Sequence, residues 1–277
     1  MNVERRTVNG ERQGERHALM TGVRYQMNIF CGALMFLTRI PVGKRYVFRS
    51  EDLPRSTVYF PVVGLLIGSL AGLVLFCAEV FLPPVLAVLL CMGVTVSVTG
   101  ALHEDGLADA ADGLIGGREP RRRLEIMRDS RLGTYGALAL WFSLTAKLFL
   151  LTTLLEQGVY LAISALIIAH GLGRTATVAL LFSHQYVRND ESKATPFGNN
   201  VTLKELIIAL VVPVILSVLL LGSRAILLLI VAAAATWAAG AYFKQKIGGI
   251  TGDCLGAANQ LVELGCYLSL VVRFSPV

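Results

Sequence analysis

Charge is scarce in this 277-residue chain. Asp, Glu, Lys and Arg together supply 16% of it, where an ordinary soluble domain carries about 25%. That shortage argues against a soluble enzyme or a nucleic-acid-binding protein. Cysteine is also sparse. The five present (Cys31, Cys77, Cys91, Cys254, Cys266) show no CxxC or Cys/His spacing, so neither a zinc site nor a disulfide framework is expected. The polar residues 1–24 are not followed in the right order by an apolar core and a small-residue cleavage site, so no secretory signal is expected. Internal repeats, low-complexity tracts and a polar domain of useful length are all missing.

What fills the chain is apolar: 55% of residues, gathered into runs approaching the ~20 residues that cross a bilayer as a helix. The reading is an all-α, polytopic transmembrane bundle with about seven spans, at 58–82, 85–102, 137–155, 158–183, 204–222, 225–243 and 254–272. Residues 25–42 are shorter and more polar, and are expected as an interfacial or half-inserted helix. Residues 1–24 are expected as a flexible cytoplasmic N-terminus, and 25–277 as one integral-membrane catalytic domain. Every Lys and Arg except Lys147, Arg174, Arg224 and Arg273 falls before the first span or in the loops 103–135, 184–203 (counting Lys204 at its edge) and 244–253. The positive-inside rule then puts these three loops together on the cytoplasmic face.

The polar residues are concentrated in 99–136, TGALHEDGLADAADGLIGGREPRRRLEIMRDSRLGTYG. Its start is expected as a helix that extends the second span. Asp105, Asp109 and Asp112 fall at i, i+4 and i+7, on one face of that helix. Three carboxylates on one face repel unless a cation lies between them, and oxygen-only ligands suit Mg²⁺. Asp129 and Asp253 are candidates to complete such a metal site. His103 and Asp112 are candidate proton acceptors. Arg128 and Arg131 flank Asp129 and are placed to fork onto phosphate oxygens. Lys147 and Arg174 lie within spans, where a charge is costly and tends to face an interior cavity; both are read as substrate contacts. In GGITGDCLGA, Thr251 and Gly252 open a helix whose free N–H groups suit an anion. Carboxylates beside guanidinium groups point to phosphoryl or nucleotidyl transfer.

Several longer stretches together carry a resemblance: FLTRIPV, YFPVVGLLIG, TGALHEDGLADAADG, LEIMRDSRLGTYG and GGITGDCLGAANQLVEL. They resemble the cobalamin synthase family of adenosylcobinamide-GDP ribazoletransferases over most of 30–270. The resemblance implies a Mg²⁺-dependent membrane enzyme that transfers the adenosylcobinamide phosphoryl group from adenosylcobinamide-GDP to the 5′-hydroxyl of α-ribazole (or to its 5′-phosphate form). The products implied are adenosylcobalamin (or its 5′-phosphate) and GMP, in the last steps of nucleotide-loop assembly. The implied setting is the cytoplasmic (inner) membrane of a bacterium or archaeon, in contact with lipid and compatible with oligomers and with other corrinoid-pathway enzymes. Two positions depart from the common family pattern: Glu104 replaces a leucine and Gln260 a glutamate. The aspartate cluster at a membrane face is also similar to that of CDP-alcohol phosphotransferases. An anion transporter, which would hold its charges near the midplane, and a polyprenyl transferase, with two aspartate-rich motifs, are the competing readings.

Overall fold

A computed structural model describes residues 22–42, 52–187 and 201–272. The elements are α1 (22–37), α2 (Leu53–Ser56), α3 (Phe60–Ala78), α4 (Pro84–Thr99), α5 (Leu102–Gly116), α6 (Pro120–Ile126), α7 (Thr134–Gln157), α8 (Val159–Ser183), α9 (Leu203–Leu221), α10 (Arg224–Ile247) and α11 (Gly252–Val271). Six helical segments are long and apolar enough to cross a membrane, and α4 with α5 makes a seventh if the pair is taken as one broken span. Each expected span has its helix, with ends shifted by a few residues. Most of the expected flexible N-terminus lies outside the described residues, as does much of the 184–203 loop.

The centre of the bundle is α8, 83% of whose most apolar window is buried, followed by α11 at 72%. The sequence makes this possible with small residues. Gly64, Gly68 and Gly72 recur every fourth residue on α3 and lie against α8. A Cβ at Gly64 would sit 2.3 Å from the His170 carbonyl oxygen, and one at Gly68 would sit 2.5 Å from that of Leu166. Close backbone approach of this kind replaces the hydrophobic drive that lipid does not supply.

Helix α1 is not among the helices long and apolar enough to cross a membrane. The Tyr25 hydroxyl donates to Asp52 (3.0 Å) and accepts from Arg55 (2.7 Å). Phe36 stacks on Phe60 at the start of α3, and the Arg39 N–H donates to the Val98 carbonyl at the end of α4. The start of α3 and the end of α4 lie at one end of the bundle. A helix touching both lies across that end, as expected for 25–42.

One expectation fails. The helix that opens the aspartate-rich stretch does not prolong α4: the two axes bend by 85°. Gly100 (φ 65°) and Ala101 (φ 60°) are both left-handed, which ends one helix and re-aims the next. Glycine adopts that conformation freely, whereas alanine at positive φ is uncommon. The space is also confined, since a Cβ at Gly100 would meet Arg39 Nε at 2.1 Å.

Candidate functional site

Because of the bend, α5 runs across the polar end of the bundle and meets the first turn of α11. The contact is backbone on backbone: a Cβ at Gly106 would lie 3.1 Å from the Gly256 Cα and 3.2 Å from that of Asp253. The turn before α11 is pinned by the loop after α8. Tyr186 and Ile250 form a parallel bridge, the Ile250 N–H donates to the Gln185 carbonyl (2.9 Å) and the Val187 N–H to that of Ile250 (3.0 Å). Thr251 is fully buried and its hydroxyl caps α11 by accepting from the Cys254 N–H (3.3 Å). The Gly252 N–H donates to the Tyr186 hydroxyl (3.2 Å). Thr251 and Gly252, expected to hold an anion, here build the turn that presents Asp253.

The three aspartates of α5 share a face but not an environment. Asp105 is exposed, Asp109 half-buried and Asp112 buried. Asp112 is enclosed because it caps α7 from another helix: its two oxygens accept from the Gly133 N–H (2.7 Å) and the Gly136 N–H (2.9 Å). A Cβ at either glycine would come within 2.4 Å of that carboxylate, so RLGTYG has glycine where the carboxylate seats. Asp112, expected as metal ligand and base, thus holds both oxygens against backbone N–H groups. Asp129 is likewise engaged. Its carboxylate takes Arg131 Nε (3.0 Å), Arg131 Nη2 (2.5 Å) and the Arg131 N–H (3.1 Å). This pairing lowers the Asp129 pKa to about 2 and raises that of Arg131. Arg128 is exposed on the same loop.

His103 does not join the aspartate face. Two residues of helix turn through about 200°, so His103 points away from Asp105. It is 5% exposed, with its backbone against Gly256, and its Nε2 has no hydrogen-bond partner among the described residues. Among those residues, no group of three His, Cys, Asp or Glu side chains is gathered closely enough to hold a metal. The five-aspartate set therefore contracts. Asp105 and Asp109 lie on the flank of α5 beside the α11 contact, and Asp253 is half-buried in the first turn of α11.

Lys147 and Arg174 are not open to a substrate. They converge on Glu263 of α11: Lys147 Nζ donates to Oε2 (2.6 Å) and Arg174 Nη1 to Oε1 (2.5 Å). His170 Nδ1 lies 3.0 Å from Oε1. All four side chains are buried, Arg174 and Glu263 at 1% exposure. Lys147 is about 20 Å along α7 from its polar end at 1.5 Å per residue. This is an ion cluster in the body of the bundle, joining α7, α8 and α11. Sequence reading missed Glu263, although an acid inside the last span carries the same signal as a cation inside the fourth. It also treated Glu104 and Gln260 separately, whereas Gln260 Nε2 donates to Glu104 Oε1 (3.1 Å). Glu104 and Gln260 thus form one contact between α5 and α11.

The family model described as cobalamin-5-phosphate synthase matches residues 29–271. Proteins named adenosylcobinamide-GDP ribazoletransferase are similar over nearly the whole chain. The one from Shewanella frigidimarina is 44% identical over 89% of this chain and 95% of its own. That from Shewanella woodyi is 41% identical, covering 90% and 97%, and that from Shewanella amazonensis 40%, covering 92% and 99%. No solved structure matches the chain.

Proposed function

The chain belongs to the cobalamin-5-phosphate synthase family, and from that premise we propose that it is an adenosylcobinamide-GDP ribazoletransferase working at the α5–α11 crossing. It is a transferase of cobalamin nucleotide-loop assembly, built as a helical membrane bundle. The finer statements that follow are our reading: a single catalytic domain in the cytoplasmic membrane, with adenosylcobinamide-GDP as donor, α-ribazole or its 5′-phosphate as acceptor, and a site on the cytoplasmic face. The observation that carries it is the bend at Gly100–Ala101, which turns α5, the helix of Asp105 and Asp109, across the first turn of α11, which carries Asp253.

The chemistry is displacement at a diphosphate. An acceptor hydroxyl attacks the phosphorus bonded to cobinamide, the bridging P–O bond breaks, GMP leaves and the hydroxyl proton goes to a base. The acceptor oxygen expected above needs correction. A product that is a cobalamin 5′-phosphate already carries phosphate on its 5′ oxygen, so the attack comes from another ribose hydroxyl.

Mg²⁺ suits carboxylates on two crossing helices, because it commonly takes one or two protein carboxylates and completes its shell with water and substrate phosphates. Asp109 and Asp253 would hold it there, and it would supply charge neutralisation of the diphosphate. Asp105, the most exposed of the three on α5, accepts the hydroxyl proton. Asp112 keeps α7 and the Arg128–Arg131 loop in place, and Arg128 faces the phosphates.

The test is a reconstituted assay with adenosylcobinamide-GDP and α-ribazole or its 5′-phosphate, read for GMP and the cobalamin product over a Mg²⁺ series. We expect both products, dependent on Mg²⁺. Asp105→Asn should lower kcat by about 10²–10⁴-fold, as for loss of a general base, at unchanged Mg²⁺ affinity. Asp109→Asn and Asp253→Asn should raise the Mg²⁺ requirement. Turnover by folded Asp105→Asn at the wild-type rate would remove that residue from the reaction, and absence of product from folded wild type would overturn the reading.

A further inference from the structure

At the same end of the bundle, away from the α5–α11 crossing, α1, the start of α3 and the start of α9 enclose a cleft of about 510 Å³. Its two halves differ. Tyr25, Arg55 and Lys204 form the rim, and Ile29, Val62 and Val212 form the wall. Arg55 is exposed and oriented by Tyr25, whose hydroxyl accepts from its Nη1 (2.7 Å) while donating to Asp52 (3.0 Å). One acid, Glu205, also lines the cleft. Its carboxylate is turned onto its own helix, completing a capping box with Thr202. Among the described residues the rim therefore offers two cations, and the two carboxylates near them are both engaged, Glu205 with Thr202 and Asp52 with the Tyr25 hydroxyl.

The apolar wall continues beyond the cleft. On α9, Ile208, Val212, Ile215 and Leu219 follow at helical spacing and are 46%, 41%, 52% and 73% exposed. They lie along the span with the least of its surface inside the bundle, 17% of its apolar window. A rim of cations opening onto an apolar track along an outward-facing span fits one molecule that is anionic at one end and a hydrocarbon chain at the other.

We propose that this cleft is a specific site for an anionic phospholipid. The phosphate sits between Arg55 and Lys204, and one acyl chain runs down the Ile208–Val212–Ile215 track. Basic residues at a membrane surface attract anionic headgroups. The apolar track distinguishes a lipid from a free phosphate, which would use the rim alone. The site joins α1 to α9 and shares no residue with the α5–α11 crossing.

The experiment uses the full chain in nanodiscs of phosphatidylcholine with a minor fraction of phosphatidylglycerol, and native mass spectrometry of the lipid retained after detergent exchange. Wild type should keep one phosphatidylglycerol in preference to phosphatidylcholine. Arg55→Ala/Lys204→Ala should weaken that retention by about thirtyfold, taking the usual contribution of one basic residue near an anionic surface twice. Val212→Trp, which fills the track and leaves both cations, should also lose the lipid. Inorganic phosphate at millimolar concentration should not displace it. Equal retention of the two lipids by wild type would overturn the proposal whether or not the variants fold. So would unchanged retention in the double variant with a wild-type unfolding midpoint, or displacement by inorganic phosphate.

Discussion

At the residue scale, the clearest tension is at Glu263. One carboxylate balances Lys147 and Arg174 with His170 alongside, all far from water. Removing one member of a buried ion set leaves the others uncompensated and costs about 3–5 kcal/mol. We expect Glu263→Gln to lower the unfolding midpoint severely, with little change in KM in whatever fraction folds. Lys147→Met in the same chain should cost less than the sum of the two single changes, because the pair shares one interaction. A Lys147→Ala protein with a normal midpoint and a raised KM would return Lys147 to the substrate. Asp129 behaves differently, being only half-buried and clamped by the exposed Arg131. Its folded pKa is about 2, below the ordinary 3.8, so its contribution to stability is present above about pH 4 and fades as pH falls toward 2. The midpoint difference between wild type and Asp129→Asn should be flat from neutral pH to about 4 and then close.

At the scale of elements, the decisive feature is the pair of left-handed residues between α4 and α5. Gly100 is suited to it, whereas Ala101 bears a steric cost of about 1–2 kcal/mol. Ala101→Gly should therefore be neutral or stabilising by up to about 1 kcal/mol in thermal unfolding, whereas a β-branched residue at 101 should disturb the bend and with it turnover. The glycine ladder of α3 makes a second prediction. In Gly68→Val the first new atom would lie 2.5 Å from the Leu166 carbonyl oxygen, which backbone cannot yield cheaply. Such overpacking costs about 1–3 kcal/mol or more, and should appear as loss of folded protein from the membrane fraction.

The helices themselves were legible in the sequence because apolar runs and their Pro-Pro and Gly breaks are local signals. The spacing of Asp105, Asp109 and Asp112 was legible too, and it placed all three on one face. The roles were not legible, since spacing cannot say what covers a face. Gly133 and Gly136 come from another helix and take up Asp112, and Glu263 neutralises Lys147 from 116 residues away. The bend was hidden for a related reason: Thr99-Gly100-Ala101 has one glycine where the chain needs two left-handed residues, and an alanine rarely signals one.

For the whole molecule, the six long apolar helices, with the broken α4–α5 pair counted as one further span, give seven crossings and put the start of α3 and the end of α11 on opposite sides. The polar end then holds α1, the α5–α11 crossing, the ends of α8 and α10 and the start of α9. A reporter joined after Val277 should be found on the side opposite to one joined before Met1, and a shared side would mean one crossing fewer.

The most direct test of the account compares Asp109→Asn with Asp112→Asn in the same reconstituted assay, recording turnover and unfolding midpoint for each. The account assigns Asp109 to the substrate face and Asp112 to the start of α7. Asp109→Asn should lose GMP release at an unchanged midpoint. Asp112→Asn should lose about 1–3 kcal/mol of stability, the cost of leaving a buried backbone N–H without its acceptor, and lose activity along with it. The reverse pattern, with Asp112→Asn stable but inactive and Asp109→Asn unstable, would contradict the division of roles along α5.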